Sequence, residues 1–197
     1  MINFVSAHPY YVYSAIFLAA LSEAIPVVGT VVPGSTLVVA ISALAAGAGA
    51  NSWLMLVAAT VGAIVGDGVS FWLGRRYHRQ ILCSWPLNRY PKFVERSNRF
   101  IIRFGAASVF LARFTAVVRA FVPLMAGILR MSLLQFYVAN ILSALVWAPA
   151  HVFPGVLLAT ALRLAGASAE QPTVLIIAGL IVALAVVGAM RLASARS

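Results

Sequence analysis

The stretch LARFTAVVRAFVPLMAG, residues 111 to 127, decides the fold, because it places Arg113 and Arg119 in otherwise apolar sequence. No acidic residue stands near them along the chain. An arginine side chain keeps its proton at any working pH, so it cannot become neutral when it is buried. Each guanidinium group therefore needs a carboxylate, a bound anion or water from elsewhere in the folded protein.

The composition around this stretch is typical of a membrane protein. The chain has 197 residues, of which 63% are hydrophobic and 9% are charged, and its mean hydropathy is +1.01. Soluble domains are roughly half apolar, so we expect an all-α, multispanning integral membrane protein. The formal net charge is +10, and the basic residues concentrate in one connecting segment and at the ends of apolar stretches. This placement favours the anionic membrane surface over nucleic acid as a partner.

The lengths of the apolar stretches predict the membrane crossings, since a helix crosses the hydrocarbon core with about 20 apolar residues. Segments 52–73, 131–153 and 172–190 each predict a crossing. Residues 10–22 are also apolar, but prolines and glycines interrupt the stretch that follows, so we expect a broken helix there. Four tryptophans fall near predicted span ends or in the connecting segment and are interpreted as interfacial anchors: Trp53, Trp72, Trp85 and Trp147.

Residues 75–103 connect the two halves of the chain and carry eight basic residues and one acid. The positive-inside rule predicts that this segment lies in the cytoplasm. Apolar residues repeat at a spacing of seven, as in Phe93 with Phe100 and Val94 with Ile101, and a separate basic stripe comprises Arg89, Lys92, Arg96, Arg99 and Arg103. This pattern predicts an amphipathic helix on the membrane surface. A solvated charged loop is the alternative.

A weak internal repeat relates the two halves. VVGTVVPGS and VVRAFVPLMAG each place a proline near the middle of an apolar stretch that a long crossing follows. We therefore predict an inverted repeat of two re-entrant helical hairpins, near residues 23–50 and 104–130, each followed by a transmembrane helix. Residues 1–160 form this membrane domain, and residues 161–197 form a linker and a C-terminal transmembrane helix that ends in the cytoplasm. The side of the N-terminus stays open.

The residues that interrupt the hairpins are expected to line a cavity near the membrane midplane. Proline removes a backbone donor, and lipid cannot satisfy the carbonyl group that loses its partner. Such backbone is stable at membrane depth only when it is buried in protein or lines a watery cavity. The residues assigned to these breaks are Pro26, Gly29, Pro33, Gly34, Ser35, Pro123 and Gly127.

Four charged residues fall within the predicted membrane segments: Glu23, Asp67, Arg113 and Arg119. Each would cost at least about 2.5 to 3.5 kcal/mol if it faced lipid alone, so we expect the four to converge. Two interpretations stay open. In the structural one, the acids only neutralise the arginines and hold the hairpins together. In the functional one, the arginines bind a phosphate through their fork geometry, and the carboxylates exchange protons between the two aqueous sides.

The chain resembles the DedA family of bacterial inner-membrane proteins, which shares a domain with eukaryotic lipid scramblases of the SNARE-associated Golgi protein superfamily. The resemblance covers roughly residues 10–150 and rests on three motifs: Glu23 followed by VVPG, GDGVSFWLGRR around Asp67, and FLARFTAVVRAFVPLMAGILRM. It implies paired re-entrant hairpins and transport of undecaprenyl phosphate back across the membrane, with proton-motive force often involved. Glu23, Arg113 and Arg119 match residues that the family needs for activity. Family members commonly carry an acid where this chain has Ser35, and this difference bears on proton coupling.

From these features we expect a translocase that flips undecaprenyl phosphate, or a related polyprenyl lipid or phospholipid, and so recycles the carrier for cell-envelope synthesis. Arg113 and Arg119 would bind the phosphate, while Glu23 and Asp67 would couple protons or pair the charges. A proton-coupled exporter of a small ion or drug and a membrane assembly factor without transport are the alternatives. No enzyme is indicated, because no nucleophile, base and orienting group stand in a recognisable spacing, and no metal or cofactor site is predicted. Coupling and the formation of a homo-oligomer stay open.

Overall fold

The computed structural model describes residues 9–25, 28–31, 33–77, 80, 91–115 and 119–164. Within these ranges all regular structure is helical, which confirms the predicted all-α class. Helices α4 and α8, with 26 and 32 residues, are long and apolar enough to cross a membrane, as predicted from segments 52–73 and 131–153. The helices are α1 (Pro9–Glu23), α2 (Val28–Val31), α3 (Gly34–Gly47), α4 (Ser52–Tyr77), α5 (Pro91–Phe104), α6 (Ala107–Ala112), α7 (Val122–Ile128) and α8 (Leu133–Leu164).

Side-chain caps begin both long helices. The backbone N–H of Trp53 donates to Asn51 Oδ1 at 2.9 Å, and the backbone N–H of Gln135 donates to Ser132 Oγ at 3.3 Å. Such bonds satisfy donors that the first helical turn leaves without an intrahelical partner.

Helices α4 and α8 both run beyond the predicted spans. Helix α8 continues through Pro149 and Pro154 and past the predicted domain boundary at residue 160. Proline does not end this helix, since membrane helices tolerate proline when neighbouring groups satisfy the freed carbonyls. The predicted C-terminal helix, 172–190, lies outside the described residues.

Contacts divide the chain into two units. The first unit comprises the described residues of 1–20, 34–61 and 148–197. Here Gly155 of α8 lies against the backbone of α3: a Cβ added at this position would come within 2.5 Å of the Val39 carbonyl oxygen. Arg163 Nη2 donates to the carbonyl oxygen of Ala46 at 2.8 Å and also to that of Gly47. This cation therefore satisfies carbonyls at the C-terminal end of α3.

The second unit comprises residues 21–33 and 62–147 and contains its own apolar core. The rings of Phe71 and Phe136 stack with centroids 4.0 Å apart at its centre. Helices α4 and α7 approach closely through two glycines: a Cβ at Gly74 or at Gly127 would lie 2.1 Å from a carbonyl oxygen of the other helix. The buried cluster consists of Phe71, Ile101, Val109, Ala112, Val122, Met125, Ala126, Phe136 and Ala139.

Helix α5 confirms the predicted amphipathic helix and shows what its apolar stripe packs against. Lys92, Arg96, Arg99 and Arg103 are all exposed, whereas Arg89 lies outside the described residues. Ile101 is buried in the core of the second unit, and Val94 and Phe100 pack against that core. The apolar stripe therefore contacts the protein itself, and a position of α5 on the membrane surface stays a prediction. The basic stripe lies on the exposed face of α5.

Candidate functional site

Two buried ion pairs in the second unit join the four charged residues. Arg119 Nη1 donates to Glu23 Oε1 at 2.7 Å, and Arg113 Nη2 donates to Asp67 Oδ2. None of the four side chains is more than 9% exposed. Both guanidinium groups lie near the ring of Trp147, so the two pairs form one cluster. The prediction that these charges converge is confirmed.

The two acids are positioned by close contact between the end of α1 and the second half of α4. Glu23 is the last residue of α1, and Asp67 lies in α4 beside Gly66. A Cβ at Gly66 would come within 2.7 Å of the Ala24 Cβ, so only glycine allows this approach. Ser70 Oγ, one turn after Gly66, donates to the Ala24 carbonyl oxygen at 2.8 Å. Glycine packing and this hydrogen bond thus hold the two carboxylates on neighbouring elements.

The two arginines lie in the interruption between α6 and α7. Arg113 follows directly after α6, and Arg119 stands in a turn before α7, where its backbone N–H donates to the Thr115 carbonyl oxygen at 3.2 Å. Pro123 is in the first turn of α7, where a missing N–H costs no intrahelical bond. Proline therefore marks the start of a new helix here. This arrangement places the two guanidinium groups beside a helix end instead of in the middle of a regular helix.

Two further residues of α8 belong to the cluster, and the sequence interpretation missed both. Asn140 is fully buried: its Oδ1 accepts a hydrogen bond from Arg113 Nη2 at 2.5 Å, and its Nδ2 donates to the Ile64 carbonyl oxygen at 3.2 Å. Trp147 is only 1% exposed, and both guanidinium groups lie near its ring, with Arg113 Cζ and Arg119 Cζ 6.0 and 5.3 Å from the centroid. Its interpretation as an interfacial anchor was wrong. Trp53 and Trp72 are exposed, which is consistent with their interpretation as interfacial anchors.

A lone asparagine inside a long apolar segment is the signal that could have identified Asn140. A polar side chain at that depth needs a hydrogen-bond partner, as the four charged residues do. Trp147 offers no comparable signal, because a tryptophan in an apolar helix has the same local pattern whether it faces headgroups or a cation.

Arg113 keeps two buried donors that no other described residue satisfies. Its side chain is 3% exposed, and its Nε and Nη1 have no hydrogen-bond acceptor within the described part of the chain. A buried donor without an acceptor costs about 1–3 kcal/mol, and a charged one costs more. The unused donors of Arg113 are groups that can bind an anion through charge-assisted hydrogen bonds.

The residues assigned to the hairpin breaks lie at helix ends and close contacts. Gly34 begins α3 after an exposed Pro33, and the partly buried Ser35 follows it. A Cβ at Gly29 in α2 would lie 2.1 Å from the Glu23 carbonyl oxygen, so α2 packs directly on the end of α1. Gly127 makes the equally close contact with α4 described above, and Pro26 lies outside the described residues. That these residues line a cavity stays a prediction.

Comparison with known proteins gives a consistent family match. Residues 32–157 match the VTT domain. Inner membrane protein YabI of Escherichia coli (strain K12) is 28% identical over 161 residues, which cover 81% of this chain and 63% of YabI. Protein DedA of the same strain is 29% identical over 154 residues, or 77% of this chain and 70% of DedA. An uncharacterized membrane protein of Synechocystis is 34% identical over 148 residues, or 70% of this chain and 63% of that protein. The chain thus spans 63% to 70% of the length of these relatives. No solved structure matches the chain.

Proposed function

The chain belongs to the VTT domain family, as a DedA-type membrane protein, and from this premise we propose that it is a translocase for a phosphate-bearing lipid. The proposed cargo is undecaprenyl phosphate or a related polyprenyl lipid or phospholipid. By carrying this lipid across the bacterial inner membrane, the protein would recycle the carrier for cell-envelope synthesis.

The single observation that carries the proposal is that Arg113 has buried donors without an acceptor among the described residues. Its buried guanidinium group donates to Asp67 and Asn140 through Nη2 alone and leaves Nε and Nη1 without an acceptor among the described residues. Phosphate oxygens are acceptors suited to such donors, because arginine binds phosphate with several charge-assisted hydrogen bonds. Arg119 lies near the same Trp147 ring and supplies a second positive charge. We assign phosphate binding to these two arginines.

The two acids supply a route for proton coupling. A phosphate monoester carries about −1.5 to −2 charges at pH 7, so its entry makes a neutral cluster negative. Proton uptake by Glu23 or Asp67 would restore part of the balance, and the proton would leave again with the lipid. This route uses only acids that already contact the arginines, and it does not need an acid at position 35.

The proposed topology is an inverted repeat in a multi-pass protein. The first re-entrant hairpin would comprise α2 and α3, and α4 is the crossing that follows it. The second would comprise α6 and α7, and α8 is the crossing that follows it. The exposed cations of α5 favour a cytoplasmic position for that helix, and the basic residues after 190 favour a cytoplasmic C-terminus.

A membrane assembly factor is the second candidate, favoured by the direct contact of each arginine with an acid. A buried ion pair can hold two elements together without binding any ligand. If that were the whole role of the cluster, charge complementarity would matter more than the identity of the residue at position 113.

The test of the proposal is transport by the chain reconstituted in liposomes. A fluorescent short-chain polyprenyl phosphate should cross the bilayer faster than in protein-free liposomes, and the matching polyprenol without phosphate should not. Repeating the assay with a pH gradient measures coupling. Equal acceleration of the phosphate and the alcohol over their rates in protein-free liposomes would refute phosphate recognition.

A pair swap tests whether the pair of Asp67 and Arg113 has only a structural role. The double variant Asp67→Arg with Arg113→Asp keeps one positive and one negative side chain at the pair. The translocase proposal predicts that a folded swap loses transport, because the arginine no longer stands at position 113. Retained transport in the folded swap would favour a purely structural pair.

A further inference from the structure

An apolar groove of about 400 Å³ lies on the second unit between α6 and the first half of α8. This volume falls within the range of small-molecule sites. Along α8 the groove runs from Leu134 to Leu142, or roughly 12 Å at 1.5 Å per residue. Its lining includes Ala107 and Phe110 from α6, Val138, Ala139 and Leu142 from α8, and one polar side chain, that of Gln135.

Both walls of the groove include residues that stand close in sequence to residues of the charged cluster. On α6, Phe110 stands one turn before Arg113, so the two side chains share a face of the chain. On α8, the groove residue Ala139 directly precedes Asn140, which accepts a hydrogen bond from Arg113. Ala139 also packs in the same core cluster as Ala112, the residue before Arg113. The groove therefore lies near Arg113, at a distance that the chain of an amphiphile bound there through its phosphate could span.

We propose that this groove holds the hydrocarbon chain of the lipid whose phosphate Arg113 binds. The inference rests on the proposed function and adds to it a site for the lipid tail. Chemistry selects the occupant, because an amphiphile joins an anionic group to an apolar chain, and the structure places buried guanidinium donors beside an apolar groove. In a bilayer, moving a chain from lipid into the groove gains little hydrophobic free energy, so shape and van der Waals contact set its contribution. The groove thus orients the lipid and adds selectivity for its chain.

Photolabelling of the reconstituted chain tests this site. The probe is farnesyl phosphate with a diazirine on its last isoprene unit, and the competitor is dimethylallyl phosphate, which has the head but little chain. We expect labels on Phe110, Val138 or Leu142 and a loss of labelling with excess competitor. Ala107→Trp, at an exposed position, places a large ring in the groove and should reduce groove labelling by about tenfold or more. Val69→Trp is the matched control, since Val69 is an exposed apolar residue of α4 that does not line the groove.

The other outcomes separate the tail site from the phosphate site. If the labels lie outside the groove and dimethylallyl phosphate still removes them, the assignment of the lipid tail to the groove is refuted and the proposed function stands. Groove labels that neither the competitor nor Arg113→Lys changes would mean that bulk lipid fills the groove; the tail site would be refuted, and the liposome assay would decide the proposed function separately. A groove covered by residues 172–190 or by a second copy of the chain would give no labels there, and the tail site would be refuted.

Discussion

Replacing Arg113 with lysine separates charge from hydrogen-bonding geometry at the cluster. Lysine keeps a positive charge near Asp67 but has one nitrogen in place of three. In the structure, Nη2 alone serves the two protein acceptors, and Nε and Nη1 are the donors left for a ligand. Arg113→Lys should therefore preserve the ion pair and remove the groups that we assign to phosphate.

The magnitude follows from the number of donors. A hydrogen bond to a charged group contributes about 1.5–3 kcal/mol, so loss of two such bonds weakens phosphate binding by at least about 3 kcal/mol. At 1.4 kcal/mol per factor of ten, the Kd for a lipid phosphate rises roughly a hundredfold or more. Folding loses at most one such bond and keeps the charge pair, so the free energy of unfolding falls by only about 1–3 kcal/mol.

Binding of a labelled lipid phosphate to the purified protein in nanodiscs measures this effect, and thermal unfolding checks the fold. Arg163→Lys is the matched control, because Arg163 is exposed, lies in the other unit and donates to helix carbonyls. It should leave the Kd unchanged. A Kd for Arg113→Lys close to that of the wild type, in a folded protein, would refute the assignment of phosphate to Arg113.

Three further substitutions test the supports of the cluster by thermal or denaturant unfolding. Asn140→Leu removes hydrogen bonds on both sides of the amide and should lower the free energy of unfolding by about 1–3 kcal/mol; no change would mean that these bonds do not stabilise the fold. Gly127→Ala brings a Cβ within 2.1 Å of the Phe71 carbonyl oxygen and should destabilise by about 1–3 kcal/mol or more. Its control is Gly68→Ala, which meets only a flexible side-chain end at 3.2 Å, and equal effects of the two would contradict the packing argument. Trp147→Phe should weaken the interaction with each guanidinium group by about 0.5–2 kcal/mol, so unaltered stability would count against cation–π support.

The sequence was sufficient to predict that four charges meet, because an isolated charge in lipid is costly whatever the fold. It did not predict which acid pairs with which arginine. Asp67 and Arg113 are 46 residues apart and Glu23 and Arg119 are 96 apart, so no local spacing relates them. Only the packing of α1, α4 and the break between α6 and α7 determines the pairing.

The sequence did not determine which surroundings each helix face contacts. For α5 the sequence shows an apolar stripe, but an apolar stripe packs equally well against lipid or against a protein core, and here Ile101 is in the core. The same ambiguity explains why Trp147 was interpreted as an interfacial anchor, although it is buried beside the arginines. Helix α8 is longer than predicted because it continues through Pro149 and Pro154. A proline inside a helix usually kinks or ends it, but membrane helices tolerate proline.

A structure of the protein with a bound lipid phosphate tests the phosphate site most directly. We predict a phosphate oxygen about 3 Å from Nε or Nη1 of Arg113, with Glu23, Asp67 and Arg119 around the same buried site. A phosphate bound at the exposed cations of α5, with Arg113 still bonded only to Asp67 and Asn140, would contradict the central claim.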